Sequence, residues 1–155
     1  MRRVAIDSNL LVLLAVGRTS RELIQRHKRT NTFLPADYDL LLKLLTPCEE
    51  ILVTPSVCCE ASNLVSQIGE PNATECRKTL GLLIGTQSER YTESAQLVRS
   101  DLYSRLGITD TSLYELASEG IPLLTVDLGL YLAACQVSGD AVNFNHIRQH
   151  ATLEV

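Results

Sequence analysis

The chain has 155 residues, 45% apolar and 21% charged, with a formal net charge of -4. That size suits one domain over residues 1–155, with a core that needs no staples. No apolar run approaches the roughly 18 residues of a membrane span, and the chain opens into a strand with no apolar leader, so a soluble, cytoplasmic protein is expected.

Residues 1–30 carry seven bases (Arg2, Arg3, Arg18, Arg21, Arg26, Lys28, Arg29) against Asp7 and Glu22, a balance of +5; the remainder carries seven bases against sixteen acids, a balance of -9. The net charge therefore argues nothing for nucleic acid, while the local distribution permits it.

Residues 3–12, RVAIDSNLLV, hold a β-branched strand, an aspartate and a helix start. Val4, Ala5 and Ile6 suit a central strand, and Asp7, Ser8 and Asn9 are residues whose side-chain oxygens cap helices. The apolar residues 10–16 continue as a helix, with a break allowed at Gly17. Residues 18–29 read as a polar helical segment with Leu23 and Ile24 as its apolar contacts. Its five bases form either a solvated charged face or a phosphate-gripping rim beside Asp7. A loop over 30–37 leads to helical spacing over 38–45.

Residues 51–54 (ILVT) are the second strand, stopped by Pro55, with Ser56 as cap of a helix to about Ile68. Glu60 stands on that helix among Val57, Cys58, Cys59, Ala61, Leu64 and Val65, company in which a glutamate needs a reason. Gly69 and Pro71 end the helix, and Asn72 with Glu75 has the spacing of a capping box for a helix to about Ile84. The Asn72, Ala73, Thr74 sequon is read as that cap, with no glycan. Arg90 and Tyr91 suit a short extended piece, and residues 92–106 show helical spacing up to a stop at Gly107. Thr109 then caps a helix with Asp110 in its first turn, a place the helix dipole favours for a carboxylate on its own account. That helix ends at Gly120. Residues 122–126 form a strand, and Asp127 begins a helix to about Val137. Residues 141–144 form a last strand, and Asn145 caps a terminal turn. Alternating strands and helices imply a mostly parallel sheet with helices on both faces.

Cys48, Cys58, Cys59, Cys76 and Cys135 show no C-x-x-C spacing and read as reduced, mostly buried small hydrophobes. His27, His146 and His150 lack metal-ligand spacing and read as ordinary polar residues. Four acids remain at special positions: Asp7 and Asp127 at strand ends, Asp110 at a helix start, and Glu60 on its apolar helix. An open α/β sheet carries its site at the carboxyl tips of its strands. If the fold gathers these acids, two charges 4 Å apart repel by roughly 4 kcal/mol at an effective dielectric of about 20, so the cluster must bind a cation or hold protons. All-oxygen ligands suit Mg2+ or Mn2+ better than zinc.

Four blocks, VAIDSNLL at 4–11, TPSV at 54–57 leading to Glu60, ITD at 108–110 leading to Leu116 and Ala117, and LLTVD at 123–127, resemble in order those of the PIN domain family. The resemblance spans nearly the whole chain. It implies a three-layer α/β/α sandwich with a central mostly parallel sheet, and metal-dependent hydrolysis of RNA. It also implies that Asp7, Glu60, Asp110 and Asp127 are the catalytic and metal-site acids, with Ser8 or Asn9 and Thr125 as flanking groups that orient carboxylates and water. Similar proteins include toxins of VapBC-type toxin-antitoxin systems, held by an antitoxin and commonly homodimeric; a stand-alone RNA-processing nuclease is the other form of the same reading. This chain departs from compact toxins by its long segment over 18–47 and the helix over 73–84. On this reading Asp7→Asn abolishes cleavage, leaves the fold intact, and could raise stability in metal-free buffer by relieving repulsion.

Two other readings compete. A receiver would want an adjacent acidic pair after the first strand and a lysine closing a later one, and an aspartyl phosphatase would want an acid at Asn9; neither pattern is present. A non-catalytic scaffold with the same fold would keep like charges together for no gain.

Overall fold

The computed structural model describes residues 3–154; Arg2, one of the amino-terminal bases, lies outside the described residues. Five parallel strands, β1 (Arg3–Ile6), β2 (Glu50–Val53), β3 (Ser88–Glu89), β4 (Leu123–Thr125) and β5 (Ala141–Asn143), lie in the order β3-β2-β1-β4-β5. Around them run α1 (Ser8–Thr19), α2 (Pro35–Leu45), α3 (Pro55–Val65), α4 (Asn72–Thr86), α5 (Ser94–Leu97), α6 (Tyr103–Ser118), α7 (Leu128–Cys135) and α8 (Phe144–Leu153). The architecture is a three-layer α/β/α sandwich, because a parallel sheet must be covered on both faces.

Ala5 pairs with Leu52 on one side and Leu123 on the other, and Ala5 and Ile6 are fully buried. From β1 the chain works outward through β2 to β3, then returns to place β4 on the other flank of β1. The order of strands therefore reverses between β1 and β4, and a crevice opens there at the carboxyl ends. Asp7 follows β1, and Asp127 follows β4 after one residue.

Helix α1 is apolar all round because it packs against α2, α3 and α4. Gly17 does not break it. A Cβ at Gly17 would meet the Tyr38 ring at 2.4 to 2.7 Å, so glycine is there for close approach of α2. We expect Gly17→Ala to cost about 1–3 kcal/mol through overpacking and to lower the melting temperature by roughly 3–10 °C. Adding Tyr38→Leu should recover part of that loss, and a single variant that melts with the parent would contradict the contact.

Several local boundaries differ from those the sequence suggests. Residues 18–29 are not a helix: α1 ends at Thr19, and only a 3-10 turn at Arg21–Leu23 follows, with Leu23 and Ile24 buried. His27 is fully buried and fastens this segment to α3. Its Nδ1 accepts the Arg29 N–H at 3.1 Å, which leaves Nε2 to donate to the Val65 carbonyl at 3.0 Å. Thr54, not Ser56, caps α3, with Pro55 as the first helical residue, and α3 stops at Val65. Asn72 lies inside α4 with no capping role; the Glu70 carboxylate accepts the Thr74 N–H at 3.2 Å instead. The edge strand is Ser88–Glu89, two residues before the expected Arg90 and Tyr91. Over 92–106 there is only the short α5 before α6 begins at Tyr103. Asn143, not Asn145, caps α8, a ten-residue helix where a single turn was expected. Of the five cysteines only Cys76 is buried; Cys59 and Cys135 are exposed.

Among the described residues, no helix is long and apolar enough to cross a membrane.

Candidate active site

Two strand ends build the centre of the site with one local device. Asp7 caps α1, its Oδ1 accepting the Leu10 N–H at 2.9 Å, and Asp127 caps α7, its Oδ1 accepting the Leu130 N–H at 2.7 Å. The two units are tied across the crevice by Thr125. Its Oγ1 donates to Asp7 Oδ2 at 2.5 Å and accepts the Asp127 N–H at 3.0 Å. The Val126 N–H adds a second donor to Asp7 Oδ2 at 2.8 Å. Thr125 thus bridges the two strand-end units.

Asp7 is almost fully buried, whereas Asp127 is exposed. Burial raises the Asp7 carboxyl above the usual range and the Asp127 charge adds to this, while the hydrogen bonds from Thr125, Leu10 and Val126 pull it back. A carboxylate has about four acceptor positions, so Asp7 keeps about one free.

Asp110 enters from α6. Gly107, at φ 81, breaks that helix, and the Thr111 hydroxyl donates to the Gly107 carbonyl at 2.6 Å, so the helix restarts with Asp110 in its first turn. Half-buried Asp110 has its carboxyl pushed up to about 7, first by burial and then by the charges of Asp127, Asp7 and Glu60. Asp110 therefore lies within electrostatic reach of the other three acids. Ser112 couples this helix to the second strand: its hydroxyl donates to the Thr109 carbonyl at 2.6 Å and meets Thr54 Oγ1 at 2.8 Å. The single Ser112 proton goes to Thr109, so Thr54 is the donor to Ser112.

Glu60 does not stand in apolar company. Val57, Ala61 and Val65 of α3 are buried in the core with Cys58 and Leu64 packed at its edge, and Glu60 is exposed, with no hydrogen bond or ion pair among the described residues. It lines a second cleft with Ser56, Asn63, Ser94 and Thr109. Asn9 is half-buried, and the buried Ser8 hydroxyl has no hydrogen-bond partner.

The donor chemistry fits a hard divalent cation: four carboxylates and an unsatisfied hydroxyl, with no thiol or imidazole among the expected ligands. As placed, however, no three His, Cys, Asp or Glu side chains among the described residues stand together as a metal-binding group. Sharing an ion requires side chains to turn inward. Asp7 is locked by its hydrogen bonds, whereas Glu60 and Asp110 have no side-chain hydrogen bonds to break.

The basic stretch 18–29 is not beside Asp7. Arg18 comes eleven residues further along α1, roughly 16 Å at the helical rise, and His27 and Arg29 contact Val65 and Gln67 at the far end of α3. Among the described residues, Arg105 is a base that lines a cleft with Asp110 and Asp127. Nothing in the local sequence marks it except its place just before the Gly107 break. Gly129 also escaped the sequence reading: a Cβ there would come within 3.3 Å of Asp127 Oδ1.

The raised Asp110 carboxyl makes stability depend on pH. In the unfolded chain this group loses its proton near 3.8, and in the fold near 7. Its contribution to stability is thus complete below the unfolded value and is lost as pH rises through the folded one. We expect the metal-free protein to melt lower at pH 8 than at pH 5, and Asp110→Asn to flatten that slope. An unchanged slope in the variant would show that other groups set it.

Fold and site together define an α/β/α sandwich with two tied carboxylates, Asp7 and Asp127, at its topological switch point and Asp110 within electrostatic reach of both. The chain is similar in fold to the crystal structure of PAE2754 from Pyrobaculum aerophilum, with a TM-score of 0.59 and 14% sequence identity over 94% of this chain and 92% of that one. No protein-family model matches the chain, and no curated protein matches it.

Proposed function

We propose that the chain is a metal-dependent ribonuclease of the PIN-like kind, hydrolysing RNA phosphodiester bonds in the cytoplasm with Asp7, Glu60, Asp110 and Asp127 as its acidic centre. The observation that supports this is the tie between Asp7 and Asp127 through Thr125 at the switch point, with Asp110 feeling the charges of the other three acids. A toxin role, an antitoxin partner and a homodimer belong to the same proposal and rest on the family resemblance.

A bound Mg2+ or Mn2+ would neutralise charge on the phosphate oxygens and make an attacking water more acidic. Asp127, with one oxygen free of hydrogen bonds, and Asp110 and Glu60, with both free, are the side chains able to turn toward such an ion. Asp7, joined to the Asp127 segment through Thr125, offers its remaining lone pair. Glu60, at the outer edge, serves as a ligand or holds the attacking water. Thr125 keeps the two strand-end carboxylates in register.

The test is cleavage of a structured RNA, with a DNA control, in Mn2+, in Mg2+ and in EDTA. RNA cut with either ion and spared in EDTA is the expected result. No cleavage in any lane, together with no rise in melting temperature at millimolar Mn2+, would favour the scaffold reading instead.

A further inference from the structure

The cleft between α6 and α7 has a volume of about 600 Å3, within the ~300–1,000 Å3 range of ligand sites. Its lining includes the carboxylates of Asp110 and Asp127, the apolar side chains of Leu132 and Ala133, Arg105 and the Gln136 amide. Arg105 is exposed and its guanidinium makes no ion pair among the described residues, although two carboxylates line the same cleft. A cleft lined by two acids and by a guanidinium paired with neither suits a phosphodiester flanked by a cation: the acids need positive charge, the guanidinium needs an oxyanion. The second cleft, lined by Ile108 and Thr109, contains Glu60 and no basic residue among its lining. The two clefts are therefore not equivalent, and the backbone grip falls on the one with Arg105.

We propose that Arg105 holds the RNA backbone at the acidic centre, and that the α6/α7 cleft seats the nucleotide next to the cut. The phosphate of that nucleotide lies against the guanidinium, its base packs on Leu132 and Ala133, and Gln136 faces the base edge with one donor group and one acceptor. The inference rests on the nuclease reading and deepens it. It also explains how a chain whose basic stretch lies at the far end of α1 can hold a polyanion.

The experiment is steady-state cleavage of a short labelled RNA in Mn2+ at several salt concentrations by the parent, Arg105→Gln and Arg105→Lys. A triple variant with Arg26, Lys28 and Arg29 changed to glutamate is run beside them. Arg105→Gln should raise KM about tenfold and change kcat less, because a binding contact is lost while the acids remain. Its plot of log kcat/KM against log salt should be shallower by about 0.7, the share of one phosphate contact on a single strand. Arg105→Lys should fall between, keeping charge without the fork. The triple variant should keep the parent's KM and slope. Parental KM and slope in Arg105→Gln would overturn the inference while the parent's own metal-dependent cleavage upheld the nuclease reading. A parent that cuts no RNA would overturn both.

Discussion

Asp7→Asn should lower Mn2+-dependent RNA cleavage by roughly 100- to 1,000-fold, since a lost ligand removes several kcal/mol of charge stabilisation and each ~1.4 kcal/mol is tenfold in rate. The fold should survive, for reasons visible in the three hydrogen bonds of Asp7. Asparagine is a good N-cap, so its oxygen can keep the Leu10 N–H. Its amide nitrogen then faces the Thr125 hydroxyl, which can rotate to accept, and the Val126 N–H, which cannot. That donor facing a donor costs about 1–3 kcal/mol, and it offsets the relief of removing a buried charge. A melting temperature close to the parent's is therefore expected in metal-free buffer, instead of the rise that repulsion alone would suggest. Retained cleavage would remove Asp7 from the catalytic centre; a collapsed melting temperature would show its role to be structural.

The second large effect belongs to Thr125→Val. Valine fills nearly the same space in a fully buried position, so the loss is that of one hydroxyl. Asp7 Oδ2 loses its shortest partner and the Asp127 N–H loses its acceptor. The cost should be about 2–4 kcal/mol, since one of the orphaned groups is a buried carboxylate. That corresponds to a fall in melting temperature of roughly 5–15 °C. Cleavage measured well below that temperature should also fall, because the two strand-end acids are no longer fixed relative to each other. Thr125→Ser, which keeps the hydroxyl, should retain most of both. Valine and serine variants alike in activity would show that the hydroxyl does not matter to the reaction.

The strand ends were readable because short β-branched runs followed at once by aspartate and an apolar helix have few other solutions. Asp7 and Asp127 accordingly cap helices as their sequence context suggests. Glu60 was misread because neighbours in a helical sequence point in all directions. Only the spacing of Val57, Ala61 and Val65 reports the inner face, and Glu60 is not on it. Of the two readings of residues 18–29, the solvated charged face agrees with the exposure of all five bases, and the phosphate-gripping rim beside Asp7 fails for a different reason. Charge density in a sequence says nothing about which end of a helix the segment reaches, and α1 carries it away from the crevice. Arg105 was invisible because its significance lies in neighbours contributed by α7, across a turn, a strand and a helix start. Hydrogen bonds such as that between Ser112 and Thr54 likewise depend on tertiary register.

The bond from Thr125 to Asp7 joins residues 118 positions apart. Contacts of that span form only after a long loop has been closed, an entropic cost that local helices never meet, and parallel sheets built on them fold slowly. The acidic centre should accordingly be among the last features to assemble: helices α1 and α3 can take shape while the fourth strand is still away from the sheet. A chain caught at that stage would have its secondary structure and none of its chemistry, so competence to cut RNA would report complete folding and helical content would not.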